Sequence, residues 1–190
     1  IFIDYTGLPA ILRNRILRLA SFQNPEFYQA QALRLPVWGK PRILYCYDIQ
    51  AKYIGLPIGC LDKLAELLAH YKITPIIKDE RNVGASIEAE FLGTLYPEQM
   101  LAAETLLKDD FGVLSATTAF GKTVVALWMI AQRKVNTLVL VHRAQLMEQW
   151  VERITEFLGI PKKEIGQISG TKKKRFGKID VALITSVSRQ

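Results

Sequence analysis

Apolar residues recur at two spacings along this chain, and the spacings are distributed differently in its two halves. Over residues 8–22, Leu8, Ile11, Leu12, Arg15, Ile16, Leu19 and Ala20 fall close to a helical period while Arg13, Asn14 and Arg18 largely take the other face, which predicts an amphipathic helix with a basic side. Asn24-Pro25-Glu26 then supplies an N-cap, a proline at the first helical position and an acid at the positive end of the dipole, so a second helix is expected to run to about Leu35. Arg42 to Tyr47 is rich in apolar and aromatic residues and reads as a strand. Leu56-Pro57-Ile58-Gly59 interrupts the pattern before a third helix, Cys60 to Tyr71, with Leu61, Leu64, Leu67 and Leu68 inward. Ile73 to Lys78 and Ser86 to Leu92 predict two more strands around a turn region, Asp79 to Gly84. Residues 1–92 therefore read as a small α+β domain.

From Leu95 the grammar changes. Pro97 to Leu107, Gly121 to Arg133 and Ala144 to Leu158 have helical periodicity. Between and after them stand short, continuously apolar runs at Val113 to Ala116, Thr137 to Val141, Ile165 to Ile168 and Val181 to Ile184. Helices alternating with such strands imply an α/β domain, residues 93–190, whose parallel sheet is covered on both faces. The boundary is expected near Gly93. No internal repeat is visible.

Charge and cysteine usage narrow the class. The chain carries 25 Lys plus Arg against 18 Asp plus Glu, a formal charge of +7 and a pI near 9.4, a balance that favours a polyanionic partner without proving one. Cys46 and Cys60 form no CxxC pair, and His70 and His142 lie far apart in sequence; neither a disulfide framework nor a zinc site is suggested, and a reducing cytoplasm fits best. The first twenty residues mix acids and arginines into their apolar stretch, unlike a signal peptide or a membrane span. A soluble protein with no membrane partner is expected. The absence of an initiator Met and the final VALITSVSRQ, a buried strand with no closing element, suggest a piece of a longer protein.

The chemistry is concentrated in SATTAFGKTVVALWMI, Ser115 to Ile130. A nucleoside triphosphate needs backbone N–H groups aimed at its phosphates, a lysine for the β and γ charges and a hydroxyl for magnesium. Gly121, Lys122 and Thr123 supply the core of that set, between an expected strand and an expected helix. The first glycine of GxxxxGK[ST] is replaced by Ala116. Ala119 occupies a second place where such loops carry glycine; a positive φ there costs alanine about 1 kcal/mol.

These residues carry a resemblance. From Leu95 onward, over about half the chain, the sequence resembles the first RecA-like domain of superfamily 2 helicases and translocases. ATTAFGKT is similar to their motif I, in which alanine at the first position is ordinary. The resemblance implies that Thr118, Ala119, Phe120, Gly121, Lys122 and Thr123 hold ATP, with magnesium on the Thr123 hydroxyl. LYPEQ resembles the Q motif, which implies that the Gln99 amide pairs with the adenine edge. VHRAQLMEQW resembles motif Ia, a contact with the phosphates of one nucleic-acid strand, implying that role for Arg143, while Leu146 and Trp150 are expected to pack on the sheet. His142 is given no chemistry and is expected to pack at the strand end. ITSVS is similar to the motif Ic region, which implies phosphate contacts from Thr185 and Ser186.

Hydrolysis in this class needs an acidic pair at the end of a later strand and arginines from a second RecA-like domain. After Thr123 no such pair follows an apolar strand: Asp180 precedes its strand, and Glu148, Glu152 and Glu156 lie on a helix. No ATP turnover is expected from these 190 residues.

NPEFYQAQALRLPVWGKPRILYCYD and LPIGCLDKLAELL resemble, more weakly, the small domain preceding the motor in bacterial helicases of the xeroderma pigmentosum group B type. Arg13, Arg15, Arg18, Arg34, Lys40 and Arg42 could face phosphates, or be solvated helix faces. Phe27, Tyr28 and Trp38 are expected to pack rather than to stack on bases. In TKKKRFGK, Thr171 to Lys178, the basic residues Lys172, Lys173, Lys174, Arg175 and Lys178 serve nucleic-acid contact or solubility equally well. The leading expectation is thus an N-terminal piece of an ATP-dependent helicase or translocase acting on nucleic acid, DNA before RNA. A non-catalytic nucleic-acid-binding module with a degenerate phosphate loop is the alternative, and a small-substrate kinase fits less well because no short substrate lid is present.

Overall fold

The structure is a computed structural model that describes residues 1–170 and 173–188. The chain forms two compact units, residues 1–79 and 80–190.

In the first unit, β1 (Phe2–Asp4), β5 (Tyr53–Gly55) and β4 (Asp48–Ile49) make an antiparallel sheet in the order β1-β5-β4, and β2 (Ser21–Gln23) pairs with β3 (Ile43–Tyr45). The helices are α1 (Ala10–Leu19), α2 (Pro25–Ala32) and α3 (Leu61–His70). Leu12 and Ile16 of α1, Ile54 of β5 and Leu64 and Leu68 of α3 form the core, the face that the helical spacing picks out. The first helix is shorter than expected because Ser21 to Gln23 pair with Tyr45 to Ile43 instead, a long-range ladder that local periodicity does not register. The second helix ends at Ala32 in a Schellman motif: Arg34 takes φ 55°, and the N–H of Leu35 donates to Ala30 O at 2.8 Å. Asn24 caps it as expected, its side chain accepting from Glu26 N. Of the three aromatics expected to pack, Phe27 is buried, Tyr28 is 38% exposed and Trp38 is 96% exposed.

The second unit holds a sheet in the order β6-β9-β7-β8, built from β6 (Thr137–Val141), β7 (Gly166–Ile168), β8 (Lys173–Lys174) and β9 (Ile179–Leu183). Strands β6, β9 and β7 are mutually parallel and β8 is antiparallel to β7. Around it run α4 (Pro97–Leu107), α5 (Lys122–Arg133), α6 (Ala144–Leu158) and the single turn α7 (Ile184–Val187). Leu127 and Ile130 of α5, Met147, Val151, Ile154 and Leu158 of α6, and Ile179 and Val181 of β9 share one core, on which Leu146 and Trp150 also pack.

Three expected strands do not form. Ile73 to Lys78 and Val113 to Ala116 carry no ladder, and Val113 is 92% exposed. Ser86 to Leu92 makes a single bridge, Ser86 to Val135. Its alternation nonetheless has a physical cause: Ile87 and Ala89 are buried, and Phe91 stacks on Phe157 with ring centroids 5.7 Å apart. One-sided burial produces a period of two without strand pairing. The segment therefore packs with the second unit, and the division of the compact units falls before it, between Asp79 and Glu80. Ile184, read from sequence as strand, instead begins α7.

Candidate nucleotide and nucleic-acid site

The phosphate-loop candidate is assembled at the N-terminus of α5. Gly121 adopts φ 88° and ψ 32° as its N-cap, and no side chain caps the helix, so the first-turn amides keep the unsatisfied N–H groups and positive dipole end that suit an anion. The Lys122 ammonium folds back onto its own loop, donating to Ala116 O and Thr117 O, both at 2.6 Å. Phe120 sits in a small apolar cluster with Leu95, Ala103 and Val125, which anchors the exposed Thr117 to Ala119 stretch from below. Ala119 does take the left-handed conformation, φ 67°. The donor set fits a polyphosphate: a free helix start, an exposed ammonium and a hydroxyl, Thr123, one residue on.

Gln99 is the buried polar residue of this region, 7% exposed. Its Oε1 accepts from Tyr96 N at 3.0 Å, which caps the start of α4, and its Nε2 donates to Phe120 O at 2.7 Å. A side chain on Gly121 would bring its Cβ to 2.5 Å from that Nε2. Each end of the amide thus makes one bond within the protein, and the remaining N–H and oxygen lone pair are what an adenine edge would meet. Sequence reading found the residue but not this brace; the signal available was a glutamine at the third position of a helix that starts with proline, the place where a capping glutamine reaches back.

The nucleic-acid candidates divide between two edges of the sheet. Val141 and Leu183 are register partners on adjacent parallel strands. Arg143 follows the end of β6, and Thr185 and Ser186 follow the end of β9, so all three lie at the carboxyl edge, where open α/β sheets place their ligands. Arg143 and Thr185 are exposed and Ser186 is half-buried. Helix α5 leads into β6 through Lys134 to Asn136, which sets its phosphate-loop end at the same edge. Strand β8 runs the other way, so Arg175 and Lys178 precede β9 at the opposite edge. Lys174 donates to Lys163 O at 3.0 Å and lies 4.5 Å from the centre of the Phe176 ring. Lys172 lies outside the described residues, and Lys173 is placed by its backbone opposite Ile168. Arg175 and Lys178 are thus not on one surface with Arg143. His142, expected to pack, is exposed.

A parallel sheet flanked by helices, with an uncapped Gly-Lys-Thr helix start at its carboxyl edge, defines an α/β protein of the RecA-like, phosphate-loop class. Residues 92–190 match the family described as "Type III restriction enzyme, res subunit", and the chain belongs to that family. It is 31% identical over 128 residues to "Putative helicase 109L" of Invertebrate iridescent virus 3, covering 63% of this chain and 38% of that protein. A shorter stretch of 60 residues is 40% identical to "DNA 3'-5' translocase XPB2" of Sulfurisphaera tokodaii, covering 32% of this chain and 14% of that one. The fold is similar to that of the UvsW helicase from Bacteriophage T4, with a TM-score of 0.62 at 12% identity over 96% of this chain and 71% of that one. The chain spans well under half the length of these two curated relatives.

Proposed function

We propose that this chain supplies the triphosphate cradle and part of the nucleic-acid track of an ATP-driven helicase or translocase. The observation that carries the reading is the Lys122 ammonium, closed onto two carbonyls of its own loop beside an uncapped helix start. Those carbonyls are neutral acceptors that phosphate oxygens replace with charged ones, and charge-assisted hydrogen bonds are roughly twice as strong. The backbone from Thr118 to Gly121, the Lys122 ammonium and the Thr123 hydroxyl would hold ATP and its magnesium. Bound ATP supplies the free energy for movement along a strand. Arg143, Thr185 and Ser186, on neighbouring strand ends, would meet the phosphates of that strand, which we take as DNA before RNA; the curated relatives include both a DNA translocase and a "Putative ATP-dependent RNA helicase". The front unit, basic and rich in exposed aromatics, is assigned to the same polyanion. Among the described residues no carboxylate follows the ends of β6 or β9, so the chain alone holds ATP without turning it over.

Calorimetric titration of the chain with magnesium-ATP tests the reading. Lys122→Ala is expected to weaken binding by about 10- to 100-fold, the loss of one or two charge-assisted bonds, with the fold unchanged by circular dichroism. Equal affinity in both proteins would remove the cradle. A second reading has one observation in its favour, the strained Ala119: a nucleic-acid-binding module whose loop no longer grips ATP. It predicts DNA binding by a chain that ignores magnesium-ATP.

A further inference from the structure

The segment between α2 and β3, residues 33–42, is built as a rigid loop around a fully solvated indole. Its entry is fixed by the Schellman motif at Arg34. Its exit is fixed by Asn24, which is 5% exposed. The Asn24 side chain donates to Pro41 O at 2.8 Å, its backbone N–H donates to Arg42 O at 2.9 Å, and the Arg42 guanidinium lies 5.4 Å from the centre of the buried Phe27 ring. Pro36 and Pro41 restrict the backbone on either side of the tip. The tip is a β-turn closed by Lys40 N donating to Val37 O at 3.1 Å, with Gly39 at φ 75° in its third position and Trp38 before it.

Trp38 is 96% exposed. A large apolar ring held in water on a tethered turn is preorganised for a partner, and preorganised aromatic anchors on loops are the usual carriers of binding energy. The charge around it limits the partner. From Phe27 to Tyr47 the chain contains Arg34, Lys40 and Arg42 and no carboxylate. A ring without acceptors beside it, on a wholly cationic segment, matches a base with its phosphates better than an acidic peptide, which offers no flat face to stack on.

We propose that Trp38 is a base-stacking anchor for an unpaired nucleotide, in a single strand or at the open end of a duplex, with Arg34 and Lys40 on the flanking phosphates. This rests on the nucleic-acid partner proposed above, and adds to it a site outside the strand-end set of Arg143, Thr185 and Ser186.

The test uses intrinsic fluorescence and affinity for a short oligothymidylate and for a blunt duplex at fixed salt. Trp38 is one of three tryptophans, and Trp128 and Trp150 are half-buried, so the solvent-exposed emission belongs to Trp38. Stacking is expected to quench that component in the wild type. Trp38→Ala should remove the quenching and weaken oligothymidylate binding by about 5- to 100-fold, without changing the melting temperature, and Trp38→Phe should restore most of the affinity. Unchanged affinity in Trp38→Ala, or a Trp38 contribution seen on the blunt duplex but not on the single strand, would overturn the stacking proposal while leaving the nucleic-acid reading intact. Failure of the wild type to bind either oligonucleotide would remove both. A dimer of the chain that Trp38→Ala dissolves would assign the ring to protein contact and overturn the proposal as well.

Discussion

Ala119 is held at φ 67°, where its Cβ crowds the following carbonyl at a cost of about 1–2 kcal/mol. Glycine removes that strain but regains freedom in the unfolded chain, so Ala119→Gly is expected to stabilise the protein by about 0.5–1 kcal/mol net, read as a raised melting temperature. Gln99 tests a different point, because its amide spans from Tyr96 N to Phe120 O. Gln99→Glu keeps the acceptor and loses the donor, leaving Phe120 O without its partner, and is expected to cost about 1–3 kcal/mol of stability. If Gln99 acts by bracing the loop, the variant weakens ATP and inorganic tripolyphosphate equally. If it reads the base, ATP suffers and tripolyphosphate does not. At this scale the sequence identifies residue types well, Gly121 and Lys122 most plainly. It does not tell that the Gln99 amide also donates to Phe120 O, because that bond reaches across about twenty residues to a carbonyl that carries no sequence signal.

Elements whose burial is one-sided and continuous were legible. β6 and α6 occupy the residues that the pattern predicts, Thr137–Val141 and Ala144–Leu158, since α6 places Met147, Val151, Ile154 and Leu158 on one face. Ile154 is fully buried at the centre of that face, and Ile154→Ala should destabilise the protein by about 2–5 kcal/mol, measured by chemical denaturation; a loss below 1 kcal/mol would mean that the sheet and α6 are not one core. The failures share a cause. Val113 to Ala116 has strand composition but no strand paired with it among the described residues, and Ser86 to Leu92 has alternation but only one bridge. Strand propensity describes a side chain that suits a pleated surface; a strand exists only when a second backbone arrives beside it.

For the whole molecule, the division into residues 1–79 and 80–190 predicts where the chain is most easily cut. Residues 72–85 contain no helix or ladder, and Ile76 and Ile77 are 100% and 77% exposed. Brief trypsin treatment is expected to cleave first within this stretch, after Lys72, Lys78 or Arg81, and to leave two fragments stable to further digestion; early cleavage inside α5 or α6 would contradict the division. The sequence by itself determined the positions of the core helices, the parallel character of the second unit and the location of the candidate phosphate loop, because periodicity and the Gly-Lys-Thr chemistry are local. Only the tertiary structure decided that Gln99 braces the loop, that Arg143 and Arg175 stand at opposite edges of one sheet, that residues 80–92 pack with the second unit, and that Trp38 faces water. Each of these depends on which distant segment pairs with or covers another, and that choice is made by the packing of the whole chain.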